Sequence, residues 1–196
     1  MAIITAKQLD LRPLSVSGLE VNASNAIDTT GKLTDDTSYG YNIIANGTPE
    51  SIIFYDFNGN DIPTSGQITG IEIQLKASEV LQQAAFTLYV SKNGTGGTYT
   101  TTPITVITPV GSDAGASTTI YSQGSNSQTW GHNWSGFTDL SDLAVKVVGL
   151  STTSGVSTLL LLYGMRITIY HKYIDDAPIK IKSGNITIGS GKVSIK

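Results

Sequence analysis

Strict two-residue alternation, repeated in one short run after another, is what most narrows the folds open to this chain. Ile68–Ala77 reads ITGIEIQLKA, with Ile71, Ile73 and Leu75 on one side and Glu72, Gln74 and Lys76 on the other. That is the period of a strand with one buried and one wet face. Phe86–Lys92 (FTLYVSK) alternates in the same way, and Asn93-Gly94 and Gly96-Gly97 then supply turn residues. Further strand-like runs fall at Tyr41–Ala45, Ser51–Phe57, Thr102–Pro109, Thr118–Gln123, Ala144–Val148, Val156–Tyr163 and Met165–Tyr173. Gly164, between the last two, marks a bulge or tight bend. Helix signals are nearly absent. Ser78–Phe86 (SEVLQQAAF) has a capping Ser and good helix formers, yet it lies between two strand runs and reads as a loop or single turn. Roughly eight to ten short strands with regular turn signals predict an all-β fold, an antiparallel two-sheet sandwich of jelly-roll type. A single open sheet would leave its apolar face in water.

The chain has 196 residues, enough for one domain with a real core. Hydrophobic residues make up 39%, and the deficit is filled by Thr, Ser, Gly and Asn rather than by charge. Disorder requires low hydrophobicity with high net charge, so this balance points instead to strands joined by polar turns. Net charge is −3, which leaves no basic field for nucleic acid. There is no Cys, so neither a disulfide framework nor a thiolate site is open to the chain. The opening MAIITAKQLDLRPL lacks the basic start and long apolar run of a signal peptide. The most apolar stretch, Leu159–Tyr163, is far too short to cross a bilayer, and no membrane insertion is expected.

The organisation read from the sequence is an N-terminal arm over 1–18, a β-sandwich over 19–174 and a C-terminal β-repeat arm over 175–196. Pro13, Gly18 and weak alternation mark the first. The last carries a seven-residue repeat, IKIKSGN, ITIGSGK, VSIK. Ile179, Ile186 and Val193 align in one row, and Ile181, Ile188 and Ile195 in a second. Each unit is a four-residue strand with a polar turn, too thin to be stable alone. Charge divides along the same line: 1–173 hold 8 basic and 13 acidic groups, whereas 174–196 hold 4 Lys and 2 Asp. An added meander on the same domain, an intersubunit arm and a small symmetric β-stack all fit this pattern; the charge fits ordinary surface solvation or a basic arm on an acidic neighbour.

Candidate chemistry is sparse. His132 and His171 have no second His or Cys at ligand spacing, so no zinc site is expected. No nucleophile elbow, catalytic Cys or phosphate-cradling glycine loop occurs. Asp35 and Asp36 are neighbours that would point apart on a strand, and Asp139 and Asp142 sit in a loop-like TDLSD. Asp56–Asp61 (DFNGND) resembles a calcium loop but places Gly59 at position 4 and Gln67 at position 12, against the requirement for Gly at 6 and Glu at 12. Asp28, Asp35 and Asp36 form a second acidic cluster. The expectation is no enzyme, no metal and no cofactor. Trp130, His132 and Trp134 (WGHNW) could form a sugar-stacking platform, although core packing is the stronger use for the two indoles of the chain.

Several blocks together resemble a family of phage and prophage virion β-sandwich structural proteins. They are VNASNAIDTTGKLTDDTSYGY at Val21–Tyr41, DFNGNDIPTSGQITGIEIQLKAS at Asp56–Ser78 and FTLYVSKNGTGG at Phe86–Gly97. SQTWGHNWSGFTDLSDLAVKVVG at Ser127–Gly149 and LLLLYGMRITIYHKY at Leu159–Tyr173 follow. The resemblance spans about residues 20–173 and stops short of the two arms. It implies a jelly-roll-like sandwich on a virion, a non-enzymatic structural role, and partners among capsid or tail proteins and further copies of the chain. Capsid decoration or a surface accessory role leads, because 196 residues without heptads leave no room for a fibre stalk. A tail or tail-fibre component in host attachment, and a carbohydrate-binding module for a host-surface glycan, are the alternatives.

Overall fold

The computed structural model describes residues 3–19, 23–27, 33, 40–44, 49–57, 62, 66–80, 84–99, 104–107, 119–137, 139–151 and 157–175. These form ten antiparallel strands: β1 (Ile3–Leu11), β2 (Pro13–Ser17), β3 (Gly40–Ile44), β4 (Glu50–Phe57), β5 (Gln67–Val80), β6 (Ala84–Ser91), β7 (Ile104–Ile107), β8 (Thr119–Ser125), β9 (Ala144–Ser151) and β10 (Thr158–Asp175). Two short 3-10 turns, Ala23–Ala26 and Leu140–Asp142, are the only helical elements among the described residues. One sheet runs β1-β10-β5-β8, with β3 also on β10, and the other runs β2-β4-β9-β6-β7. The first sheet holds five strands in four positions. β3 pairs with Thr158–Leu162 and β1 with Ile167–Asp175, so the two lie end to end along one side of β10.

Strands β3 to β10 follow the nested order of a jelly roll. β3 pairs with β10, β4 with β9, β5 with β8 and β6 with β7. Then β10 lies beside β5 in one sheet and β9 beside β6 in the other. The all-β, two-sheet sandwich expected from the alternation is the fold observed.

Alternation also sets the core. Ile71, Ile73 and Leu75 from β5, Leu88 from β6, Val145 and Val147 from β9, and Ile167 and Ile169 from β10 are all fully buried. They pack with Ile52, Phe54, Phe86 and Met165 into one cluster between the sheets. A period-2 strand keeps its phase only without insertions, and two bulges reset that phase. Leu162 pairs with Ala77 and Gly164 with Lys76, so Tyr163 is the extra residue. The inward set accordingly moves from Leu160 and Leu162 to Met165, Ile167 and Ile169. Val156–Tyr163 and Met165–Tyr173, read from the sequence as separate strands about Gly164, are thus one strand carrying a bulge. The second shift, between Tyr170 and His171, leaves Thr69 unpaired on β5 and turns both Ile68 and Ile71 inward.

Two expectations are corrected. Residues 1–18 do not form an arm over their described part: β1 completes the open half of β10's edge, and β2 pairs with β4 in the other sheet. The sandwich therefore begins before residue 19. The signal is weak because Leu9 and Leu11 face the core while Lys7 shares their side of the strand. Likewise Ser78–Phe86 is not simply a loop. β5 continues to Val80 and β6 starts at Ala84, one strand in each sheet. The C-terminal arm beyond Asp175, with Ile179, Ile181, Ile186, Ile188, Val193 and Ile195, lies outside the described residues.

The inward assignment has a direct measure. Ile73→Ala or Leu88→Ala should cost about 2–5 kcal/mol in urea unfolding. Ile120→Ala, at a position 46% exposed on β8, should stay within about 0.5 kcal/mol. Equal, small effects at all three would contradict the register.

Candidate functional site

The WGHNW block lies on the connection from β8 in one sheet to β9 in the other, where it closes an end of the sandwich. Trp130 is buried, and its indole N–H donates to the Ile71 carbonyl at 2.9 Å. Its φ of 55 is in the left-handed region, a strained position for a bulky residue that burial and the hydrogen bond hold in place. Gly124 permits the approach. At its φ of +95, a Cβ would meet the Ile71 oxygen at 2.1 Å. Trp134 is also buried and donates from its indole to the Thr129 carbonyl at 2.8 Å, with Phe137 edge-on at 5.0 Å. His132 packs edge-on against Trp134 at 5.3 Å, and its Nε2 is 2.8 Å from the Val90 carbonyl. A carbonyl only accepts, so Nε2 carries the proton.

The structure therefore brings Trp130, His132 and Trp134 together but not as a stacking platform. Both indoles are 2% exposed or less, and both N–H groups are used on backbone carbonyls. Without an open ring face there is nothing for a sugar to lie on. Asp139 caps the turn at Leu140–Asp142 through Ser141, whose N–H and hydroxyl both donate to its carboxylate. Those bonds hold its pKa below the ordinary value. Asp28, Asp35, Asp36 and the stretch Asn58–Asp61 lie outside the described residues. Among the described residues, no three His, Cys, Asp or Glu side chains gather as a metal-binding group, and no helix is long and apolar enough to cross a membrane.

The sequence reading missed the outer face of the β1-β10-β5-β8 sheet. Thr168 donates to Asp10 at 2.7 Å and Tyr170 to Glu72 at 3.0 Å. Arg166 donates to the Gln74 oxygen, and Gln74 donates onward to Ser122. Burial tends to raise the Asp10 pKa, but the Thr168 and Gln8 hydrogen bonds and the Arg166 charge outweigh it and bring it below the usual value. Burial and the Glu72 carboxylate raise that of Tyr170. At one end of this face, a 360 Å³ open hollow is lined by Lys7, Thr69, Asn126, Ser127, Tyr170 and Lys172, with His171 beside them. The face offers fixed hydroxyl, amide and carboxylate groups, and the hollow adds two ammonium groups. Glu72, Gln74 and Lys76 were legible as a polar side of one strand. The partners on β1 were not, because β1 itself was not.

No family model matches the chain, and no curated protein matches it in sequence. Solved structures with a similar fold include the C-terminal CBM6 of LamC, a laminarinase from Zobellia galactanivorans. It shows 13% identity, 83% of this chain and 99% of that one covered, and a TM-score of 0.40. The enzymatically active domain of bacteriophage CBA120 tailspike protein 4 shows 10% identity, 83% and 19% coverage, and a TM-score of 0.39. The chain thus spans about a fifth of that tailspike chain. The infectious bursal disease virus Gt strain structure shows 7% identity, 88% and 37% coverage, and a TM-score of 0.39. At such identities and scores these likenesses assign no family and bear no functional argument.

Two measurements check this description. Tryptophan emission should be blue-shifted, poorly quenched by acrylamide and unchanged by added oligosaccharides. Trp130→Phe should cost about 1–3 kcal/mol for the orphaned Ile71 carbonyl. The second concerns His171, which is buried, and whose pKa burial and the nearby Lys7 charge lower from 6.5. A depressed pKa means that its stabilising contribution is complete above pH 6.5 and lost as pH falls through the folded value. The melting temperature should drop on acidification from pH 7 to about 5, and less so in His171→Gln, whose side chain does not titrate.

Proposed function

We propose that the chain is a non-enzymatic structural protein of a tailed-phage particle, a capsid decoration or surface accessory protein that docks on other virion proteins and on its own copies. One observation carries the reading. β5 stops pairing with β10 at Lys172, but β1 pairs on to Asp175, so Ile3–Thr5 and Tyr173–Asp175 run past the sheet as a two-stranded ribbon. In sequence, the two apolar rows of the 179–196 repeat follow that ribbon. Leaving them in water would forfeit roughly 1.5–3 kcal/mol for each side chain that burial could cover. The ordered resemblance of the sequence blocks to virion β-sandwich proteins supports the same reading. So does the use of both Trp residues in packing, which takes away the glycan site that the sequence offered. In this proposal the protein resides on the virion and needs no cofactor.

A second reading, a tail component that recognises a host-surface glycan, is favoured by the polar sheet face and its lysine-lined hollow. Mass spectrometry of purified particles separates the two. Decoration predicts copy numbers comparable with the major capsid protein, whereas a tail role predicts a few copies. Absence from particles would overturn both.

Deleting residues 177–196 tests the assembly role. The truncated chain should melt cooperatively near the temperature of the intact monomer but no longer self-associate in sedimentation velocity. Unfolding of the truncated sandwich would place the repeat in the folding core instead.

A further inference from the structure

Among the described residues, one strand edge of the sandwich lacks the usual guards. Native sheets guard their edges with charge, proline, shortness or bulges. β1 carries Lys7 and Asp10, β2 is five residues long and starts at Pro13, and β3 and β7 have five and four residues. β8 has none of these guards. Its seven residues, TIYSQGS, contain no charge and no proline, and its pairing with β5 runs without a register shift. Among the described residues, no strand lies on its other side. Its outward row starts with Ile120, 46% exposed. Its inward row includes Tyr121, only partly buried and edge-on to Phe86 at 5.6 Å.

We propose that β8 accepts, by strand addition, the first unit of the C-terminal repeat (Ile179–Lys182) of a second copy of this chain. This rests on the assembly role proposed above and names the partner surface. In strand addition, main-chain hydrogen bonds hold the incoming segment and alternate side chains set its fit. The repeat has that alternation: Ile179 and Ile181 would turn inward over Tyr121, and Lys180 and Lys182 outward to water.

Geometry favours a second copy over the same one. Ile169 is level with Ile71 and Ser125, and Asp175 lies six residues further on. That is about 20 Å along the strand, and a position beyond β8 is three strand spacings, about 14 Å, to the side. The gap is therefore about 24 Å. Four residues from Asp175 to Ile179 span at most about 14 Å. The first unit thus falls short of its own β8, and only the β8 of a second copy can take it.

The Cys-free chain makes cross-linking unambiguous. Ser122→Cys protein mixed with Lys180→Cys or Lys182→Cys protein, treated with a short bismaleimide, should give a covalent dimer. Ile181→Cys, on the opposite side of the added strand, should link poorly. Ile120→Lys should weaken self-association more than tenfold while leaving the melting temperature unchanged. Linking only within a chain that carries both cysteines, or no link at either tail position, overturns the β8 proposal. If the 177–196 deletion still abolishes self-association, only the β8 surface is wrong. If the deletion leaves self-association intact, the assembly role of the repeat fails with it.

Discussion

Hydrogen bonding along both sides of β10 is the constraint on which the rest of the sandwich depends. One side is taken by β5 from Leu159 to Lys172, and the other by β3 and then β1. A strand of that length cannot hold one straight phase against a closed core, because sheets twist and its partners end at different points. The extra residues at Tyr163 and Thr69 absorb the mismatch. They keep apolar side chains inward at each end of the pair at the cost of a local break in the ladder. Tyr163 is itself buried, with its hydroxyl 3.3 Å from that of Ser78. Lys76 is buried beside it and donates to the Leu33 carbonyl at 2.9 Å. The outer face of this half of the sheet is thus covered too, and its polar atoms have partners there.

What could be read from the sequence follows from that physics. Where one face of a strand is buried and the other wet, as in β5, β6 and β9, the period is visible and both register and core come out correctly. It fails where both faces are covered or neither is. β1 carries Lys7 on the side of its leucines, so it looks like an arm. Leu159–Tyr163 is apolar throughout and shows no alternation, so its phase change at Tyr163 could only be guessed from the neighbouring glycine. Val80 and Ala84 belong to strands although the residues around them favour helix, because pairing in the two sheets overrides local propensity.

The candidate site was less legible for a related reason. Trp130, His132 and Trp134 were correctly grouped by their nearness in sequence, but exposure is not a property of spacing. Whether an indole faces sugar or core depends on Gly124, Ile71 and Thr129, which lie on other elements or beyond the motif. The polar face pairs Asp10 with Thr168, which are 158 positions apart. No local pattern marks such a pair. It emerges only once β1 is placed against β10.

The nested pairing of first strand with last also bears on how the chain is made. At about 5–20 residues per second, a ribosome takes roughly 10–30 s to pass from Ile3 to Asp175. For the later part of that interval β1, β3 and β5 have been made while the strand that joins them has not. Folding must wait until β10 is made, and contacts so far apart in sequence form slowly even then. Nascent copies on one polysome would meanwhile expose unpaired edges at high local concentration. Because the apolar central strand is made after β1, β3 and β5, its partners are already present when it leaves the ribosome.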